Sequence, residues 1–359
     1  MKIGVISDSH FGARNDNPLF LDYFQEFYDK IFFPYLDEHH ITQVLHLGDI
    51  MDRRRFCNFN TLSRVRSGFF QPLLNRKTEL IVTIGNHDTY YKNKNDVNSP
   101  NELFGRYPNV TIYQDPAVLT LGNLDIQLMP WISPANEAHC LEVIRTSRCP
   151  VMMGHLELKG FQMYRGLISD HGLDKRLFDQ FHMVLSGHYH HRSTTGSIYY
   201  LGSPYEITFS DLEDPRGFHI LDTETMELEF VLNPHRMFFR EVYADKGLEQ
   251  EAVLEHDYMR LANKFVKVVV ASKTNPYLFE RYLDRLSMAN PADVSIVEEF
   301  EVGVTGDDDQ EFAADDTLTI LNTYVDTIDM DIDKGRLKRV LGELLSGAIA
   351  GDDNMGEEE

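Results

Sequence analysis

Short apolar runs alternate with longer segments of helical spacing through the first two-thirds of the chain. Lys2–Ser7, Val44–Leu47, Leu80–Ile84, Val151–Met153 and Phe181–Ser186 have strand length and stop abruptly at glycine or polar residues. Runs of about four to eight apolar residues bounded by turn signals read as buried strands. Between them, Leu19–Leu36 and Asn60–Leu74 carry apolar residues at helical spacing, the second stopped near Pro72. Residues 89–101 are polar and Asn-rich and read as a long loop. Pro108–Tyr113 and Ala117–Met129 read as short strands with a turn at Gly122-Asn123, Ala135–Thr146 as a helix, and Leu173–Gln180 as a short helix. Ser197–Leu201, Gly217–Asp222 and Glu227–Leu232 close a meander. Strands alternating with helices and followed by further strands predict a layered α/β domain ending near Asn233.

The pattern restarts at Phe238 as strand (Phe238–Tyr243), helix (Leu248–Leu261), strand (Phe265–Val270), helix (Asn275–Met288) and strand (Val294–Phe300), a small βαβαβ unit. Residues 301–333 then hold eleven acidic side chains and no basic one, which marks a linker. Leu318, Leu321, Val325 and Ile328 suit one amphipathic helix, and Leu337, Val340, Leu341, Leu344 and Leu345 another. The expected boundaries are 1–235 for the large domain, 236–302 for the small α/β domain, 303–316 for an acidic linker, 317–350 for a helical segment and 351–359 for a disordered acidic tail.

The chain's 359 residues and 42% hydrophobic content allow one large domain and something smaller. No run of about 18 apolar residues appears, so a membrane span is not expected. The amino terminus enters a strand pattern without a secretory segment, and Cys57, Cys140 and Cys149 are scattered without metal or redox spacing. A reducing, cytoplasmic location is the expectation. The net charge of −23 argues against a nucleic-acid binder, but its distribution changes that picture. Residues 1–235 hold 21 Lys and Arg against 29 Asp and Glu, whereas 236–359 hold 13 against 28. Residues 50–106 are locally basic, with 10 basic and 5 acidic side chains. A basic patch and a solvated helix face are both open readings of that segment.

The five runs end in Asp8/His10, Asp49, Asn86/His87/Asp88, His155 and His188/His190. Ligands bind beyond the carboxyl ends of strands in open α/β sheets. Carboxylate, imidazole and carboxamide oxygen together suit a borderline cation such as Mn²⁺, Fe²⁺ or Zn²⁺, and the lack of thiolate argues against structural zinc. Seven such ligands are too many for one ion and suit two sharing a bridge. Other histidines carry blander expectations: His46 packed or supporting the site, His191 on the surface, and His171, His182 and His219 structural. Asp88 has a second reading as a turn cap. Arg53, Arg54 and Arg55 directly follow the Asp49 loop and, with Lys92 and Lys94, are candidates for contacting phosphate groups.

The ordered set D-x-H, G-D, G-N-H-D, G-H and G-H-x-H over residues 1–235 resembles the calcineurin-like metallophosphoesterases. That resemblance implies a layered β-sandwich core flanked by helices, with a small α/β capping domain and a C-terminal helical tail. Asp8, His10 and His190 would hold one cation, Asn86, His155 and His188 a second, and Asp49 would bridge. Two Mn²⁺ are expected, with Mg²⁺, Fe²⁺ or Zn²⁺ as other candidates, held about 3.5–4 Å apart to activate a water and clamp phosphate oxygens. His87 would be the general acid, its ring oriented by Asp88.

A finer resemblance, to the SbcD-type nuclease subunits that work with an SMC-like ATPase and include T-even-phage recombination endonuclease subunits, rests on four stretches. They are Gly48-Asp49-Ile50-Met51-Asp52, Gly154–Phe161, Leu201-Gly202-Ser203-Pro204-Tyr205 and Asp214-Pro215-Arg216-Gly217-Phe218. Some members of that family carry a second catalytic histidine three residues after the bridging aspartate, where this chain has Asp52. The resemblance implies a DNA nuclease acting on duplex ends and single strands in end processing, recombination and repair. It also implies an ATPase docked on the C-terminal helices, a homodimer formed near 60–75 and 90–106, and a location in the host cytoplasm if phage-encoded. The competing expectations are another metallophosphoesterase acting on nucleotides or small phosphodiesters, and a non-catalytic scaffold for the ATPase.

Overall fold

Alternation of side chains across each strand, the period of two that the pleat imposes, builds this fold. In the computed structural model, residues 1–164, 167–169, 171–298 and positions 334, 336 and 337 are described. The strands Lys2–Ile6, Gln43–His46 and Glu79–Thr83 run parallel in the middle of a six-stranded sheet. Val110–Tyr113 extends it in parallel on one side, and the antiparallel strands Gly217–Asp222 and Leu228–Leu232 on the other. A second six-stranded sheet runs in the order Ser193–Thr195, Ile198–Tyr200, Met183–Gly187, Val151–His155, Leu124–Met129 and Ala117–Leu121.

Ile3, Val5, Leu45, Leu47 and Ile81 of the first sheet meet Ile126, Leu128, Val151, Met153 and Leu185 of the second in one buried layer. The alternate residues Ile6, Val44, Leu80 and Val82 face a helical layer rich in phenylalanine. A third layer, with Cys140, Ile144, Phe178 and Phe181, covers the far face of the second sheet. Burial on both faces is why the central strands read as unbroken apolar runs rather than alternating ones. The expected layered α/β sandwich is the architecture found.

The helical expectations hold with one physical correction. Pro18–Phe27, Tyr28–Phe32 and Phe33–Glu38 form a continuous run, begun by Asn17, whose side chain accepts from the Leu19 amide at 2.9 Å. Phe59–Val65, Arg66–Phe70 and Gln71–Asn75 likewise continue past Pro72. Pro72 therefore does not stop the helix. Just ahead of Pro34 and of Pro72 the ladder widens, with Phe33 N donating to Tyr28 O and Gln71 N to Arg66 O. A wide turn of this kind accommodates a ring that lacks an N–H and crowds the preceding turn.

Residues 89–101 are not a loop. Thr89–Tyr91 and Lys94–Asn98 pair as a hairpin, and Ser99–Phe104 is a helix with Pro100 in its first turn. The asparagines that suggested a loop are structural: Asn98 Oδ1 caps the helix on Asn101 N at 3.0 Å, and Asn95 Nδ2 donates to Trp131 O at 2.7 Å. Leu173–Gln180 contracts to the single turn Lys175–Phe178, and Leu248–Leu261 to two short turns, Gln250–Leu254 and Tyr258–Leu261.

From Phe238 onward the chain forms a separate parallel sheet of Phe238–Ala244, Phe265–Ser272 and Asp293–Glu298, with its own core around Tyr243, Val268, Phe279 and Tyr282. The rings of Phe238 and Phe265 pack on Phe20 at 5.9 and 5.3 Å, and Met1–Phe300 form one compact unit. The expected linker 303–316, helical segment 317–350 and tail 351–359 lie outside the described residues except for positions 334, 336 and 337. Among the described residues, no helix is long and apolar enough to cross a membrane.

His219, expected to be structural, is 4% exposed and packs against Phe230 in the first sheet. Burial, with Arg192 nearby, pushes its pKa down to about 3. It stays neutral in the fold, so the unfolded chain takes up a proton below about pH 6.5 that the folded chain does not, and stability is lost as pH falls. In urea unfolding between pH 5 and 6, His219→Phe is expected to remove about 1.4 kcal/mol per pH unit of that loss. Identical pH slopes for variant and wild type would refute it.

Candidate active site

The parallel strands of both sheets release polar residues at the same edge. Asp8 and His10 follow Lys2–Ile6, Asp49 follows Gln43–His46, and Asn86, His87 and Asp88 follow Glu79–Thr83. His155 is the last residue of Val151–His155, one position inside its strand, and His188 and His190 follow Met183–Gly187. Asp8, His10, Asp49 and His188 all have positive φ, between 40° and 91°. Non-glycine residues in that region are strained and need surrounding structure to hold them.

The structure brings all seven predicted ligands together. Ligand atoms of Asp8, His10 and His190 lie within 4.8 Å of one another, as do those of Asp8, Asp49 and His155, and those of His10, Asp49 and His87. Asn86 Oδ1 is 2.9 Å from both His155 Nε2 and His188 Nδ1. His155 Nε2 is also 3.3 Å from Asp49 Oδ2. Asp49 thus adjoins both imidazole groups, the place a bridging carboxylate needs.

The donor set fits cations. His10 Nε2 and His190 Nε2 face each other at 3.0 Å, which without a cation requires a proton shared between them. Burial opposes charge on His10, but the carboxylates of Asp52, Asp49 and Asp8 outweigh it and raise its pKa to about 9. Burial, His10 and Arg216 hold His190 well below the ordinary range. His155 follows His10: burial is outweighed, chiefly by Asp49, and its pKa rises to about 9. Its Nδ1 meets Leu47 O at 2.7 Å while Nε2 meets Asn86 Oδ1, so both nitrogens must donate in the metal-free protein. A divalent ion replaces such protons and leaves Nδ1–H to fix the ring. Burial works upward on Asp49, yet His155, His87 and His10 hold it well below the usual carboxylate range.

Asp88 does not orient His87. Its carboxylate accepts from the amides of Gly85 (2.9 Å), Asp49 (2.8 Å) and Ile50 (3.0 Å), tying two strand-end loops together. Burial, with Asp49 adding to it, raises the Asp88 pKa to about 7. The His87 ring instead meets Asp52 O through Nδ1 at 2.6 Å, and its backbone amide donates to Asp49 Oδ1 at 2.8 Å.

His46 supports the site, as one expectation had it. Its Nε2 is 2.8 Å from Ser9 Oγ, which also meets Tyr28 Oη at 2.9 Å, while Tyr205 Oη donates to Ser9 O at 2.5 Å. His191 is half-buried rather than a surface residue, with Nδ1 2.9 Å from Asp214 Oδ2. Buried Arg216 gathers Asp211 (2.7 Å), Asp214 (2.8 Å), Ser203 Oγ (2.8 Å) and the His190 carbonyl. The stretches 201–205 and 214–218 therefore set the loop that carries His190. Trp131, not singled out from the sequence, places its ring 5.1 Å from His188 and 6.0 Å from His155. It lies two residues beyond the strand Leu124–Met129, so the strand-end rule applied to that run would have found it.

The basic candidates sit in different surroundings. Arg53 is engaged by Asp16, Arg55 lies over the Tyr90 ring at 5.4 Å, and Arg54 is half-buried. Arg53, Arg54, Arg55, Phe56 and Tyr90 line a cavity of about 160 Å³. Lys94 pairs with Asp96 at 2.8 Å and covers Tyr91 at 4.4 Å, while Lys92 is exposed at the hairpin tip.

Residues 1–204 match the family model of calcineurin-like phosphoesterases. The chain belongs to that family. As a calcineurin-like phosphoesterase it is a hydrolase of phosphate esters that depends on divalent metal ions. It is similar to Exonuclease subunit 1 of Enterobacteria phage T4, 32% identical over 329 residues, 91% of this chain and 93% of that protein. It is also similar to the SbcD subunit of the SbcCD nuclease of Staphylococcus saprophyticus, 25% identical over 49% of this phosphoesterase and 54% of that protein. The SbcD protein of Staphylococcus epidermidis is 27% identical over 44% of this chain and 41% of that protein. These relatives bear out the finer resemblance to the SbcD-type nucleases.

A side chain at Gly187 has no room in this phosphoesterase. A Cβ there would come 2.0 Å from Ser7 Oγ and 2.9 Å from both Asp8 Oδ2 and His155 Nδ1. Gly187→Ala is expected to cost about 1–3 kcal/mol of stability and to weaken Mn²⁺ binding at least about tenfold. Melting and calorimetric titration with Mn²⁺ check this, and wild-type values for both would refute it.

Proposed function

We propose that this chain is a two-metal DNA nuclease, the nuclease subunit of an end-processing complex. The observation that carries the reading is the position of Asp49 between two groups of ligands, Asp8, His10 and His190 on one side and Asn86, His155 and His188 on the other. When bound, two divalent cations, with Mn²⁺ favoured, would polarise the phosphodiester and supply an activated water. The chain's own residues hold the phosphate, fix its orientation and move a proton. His87 Nδ1 is engaged by Asp52 O, so Nε2 is the atom that would carry a proton to the leaving oxygen. Burial lowers the His87 pKa, and the anionic phosphodiester beside the ring opposes that effect.

The names of the relatives, an exonuclease subunit and SbcCD nuclease subunits, support DNA as the substrate, with duplex ends and single strands the expected forms. Arg55 and Lys92, both exposed, suit phosphate contacts, and residues 236–302 suit a cap over the DNA. The homodimer contact is expected near residues 60–75 and 90–106, and the exposed ring of Phe59 beside the first segment, with that of Phe56, supports it (86% and 73% exposed). By resemblance, an SMC-like ATPase docks on residues 317–350.

His87→Ala is expected to keep both cations and lose about 100-fold or more in the cleavage rate of duplex DNA. Single-turnover cleavage with parallel Mn²⁺ titration checks it, and near wild-type cleavage would refute the acid role. Assaying the wild type against small phosphodiesters separates a nuclease from a nucleotide phosphoesterase. Deletion of residues 301–359 is expected to leave Mn²⁺-dependent cleavage and abolish association with the ATPase. Pull-down measures the latter, and unchanged association would overturn the docking assignment.

A further inference from the structure

We infer that Asp52 is a positioning residue that holds His10 as a cation ligand and His87 as the proton carrier through two separate arms. The inference rests on the two-metal reading of the site. The backbone of Asp52 is fixed on the loop that bears His10, with Phe11 N donating to Ile50 O at 2.8 Å and Asp52 N to Phe11 O at 3.1 Å. One arm is the side chain, whose Oδ1 lies 3.4 Å from His10 Nδ1. That nitrogen is buried and meets no hydrogen-bond partner among the described residues, so the Asp52 carboxylate is the charged group that faces it.

The opposite nitrogen of His10 faces the cluster. Nε2 is 3.0 Å from His190 Nε2, 3.6 Å from Asp49 Oδ2 and 3.9 Å from Asp8 Oδ1. A carboxylate behind Nδ1 fixes the tautomer that leaves the Nε2 lone pair for a cation and makes the ring a stronger donor. His155 has the same arrangement with a neutral partner, its Nδ1 on Leu47 O. Asp52 thus gives His10 a charged support that His155 lacks.

The other arm is the Asp52 carbonyl, 2.6 Å from His87 Nδ1. The His10 and His87 rings stand edge to face, 4.8 Å between centroids at 84°. A single residue therefore sets the angle between a ligand imidazole and a proton-carrying one.

The two arms separate experimentally, because substitution of the side chain leaves the carbonyl in place. In calorimetric titration with Mn²⁺, Asp52→Ala is expected to weaken one of two cation sites by about 10–100-fold and leave the other within about threefold. Asp52→Glu is expected to recover most of the loss, and melting of the metal-free variants reports on the fold. If Asp52→Ala melts well below wild type, the isosteric Asp52→Asn, which loses only the charge, is read in the same titration with the same expected direction. Wild-type affinity at both sites in the folded variant would overturn the inference while leaving the two-metal reading intact. A wild-type protein that binds fewer than two Mn²⁺ would instead overturn that reading, and this inference with it.

Discussion

Four residues of the site, Asp8, His10, Asp49 and His188, leave their strands through left-handed backbone. Each such turn costs on the order of 1 kcal/mol or more, and it persists only where neighbouring groups over-determine it. The fold supplies those groups. Asp8 N donates to Gly48 O and His10 N to Asp49 O, both at 3.1 Å, so the first two strand ends lace together. The Asp88 carboxylate ties the second to the third through three amides. Across the sandwich, Asp8 receives the His188 amide at 3.0 and 3.2 Å. Each strained turn is thus closed by a hydrogen bond with another strand end.

Much of this was legible in the sequence because both the strand core and the ligand set obey local rules. Buried parallel strands read as apolar runs, and each run ended in a residue type a cation would accept. The strand-end residues that meet at the site could be named from that pattern, the choice of seven of them as expected ligands came from the family resemblance, and His46 could be placed as support because it alternates with Leu45 and Leu47. What stayed hidden depends on long-range partners. Whether Asp88 meets a ring or the amides of Asp49 and Ile50, and whether His191 meets solvent or Asp214, is decided by chain more than 20 residues away. The same holds for Pro72, whose helix survives by widening a turn, and for the 89–101 asparagines, which cap and brace a hairpin and helix instead of unwinding them.

Near the strand-end residues, charge and aromatic surface are interleaved, with Arg55 over Tyr90, Lys94 over Tyr91 and Trp131 beside His188. The acidic whole and the basic strip at 50–106 are compatible because several of the carboxylates face inward on the cations' side of the protein. Arg53 is already matched by Asp16, so its role is structural as much as electrostatic. Burial of Arg216 among Asp211 and Asp214 likewise assigns a conspicuous cation to architecture, at the point where the backbone turns to present His190.

Ser9 sits between two ligand residues and is held by His46, Tyr28 and Tyr205, which come from a strand, a helix and a loop. The pocket wall is thereby anchored in polypeptide that owes nothing to the ions. In small zinc domains, by contrast, coordination and folding are one event. Here chelation would strip the centre and leave an intact receptacle, so occupancy can follow the supply of cations without rebuilding the chain.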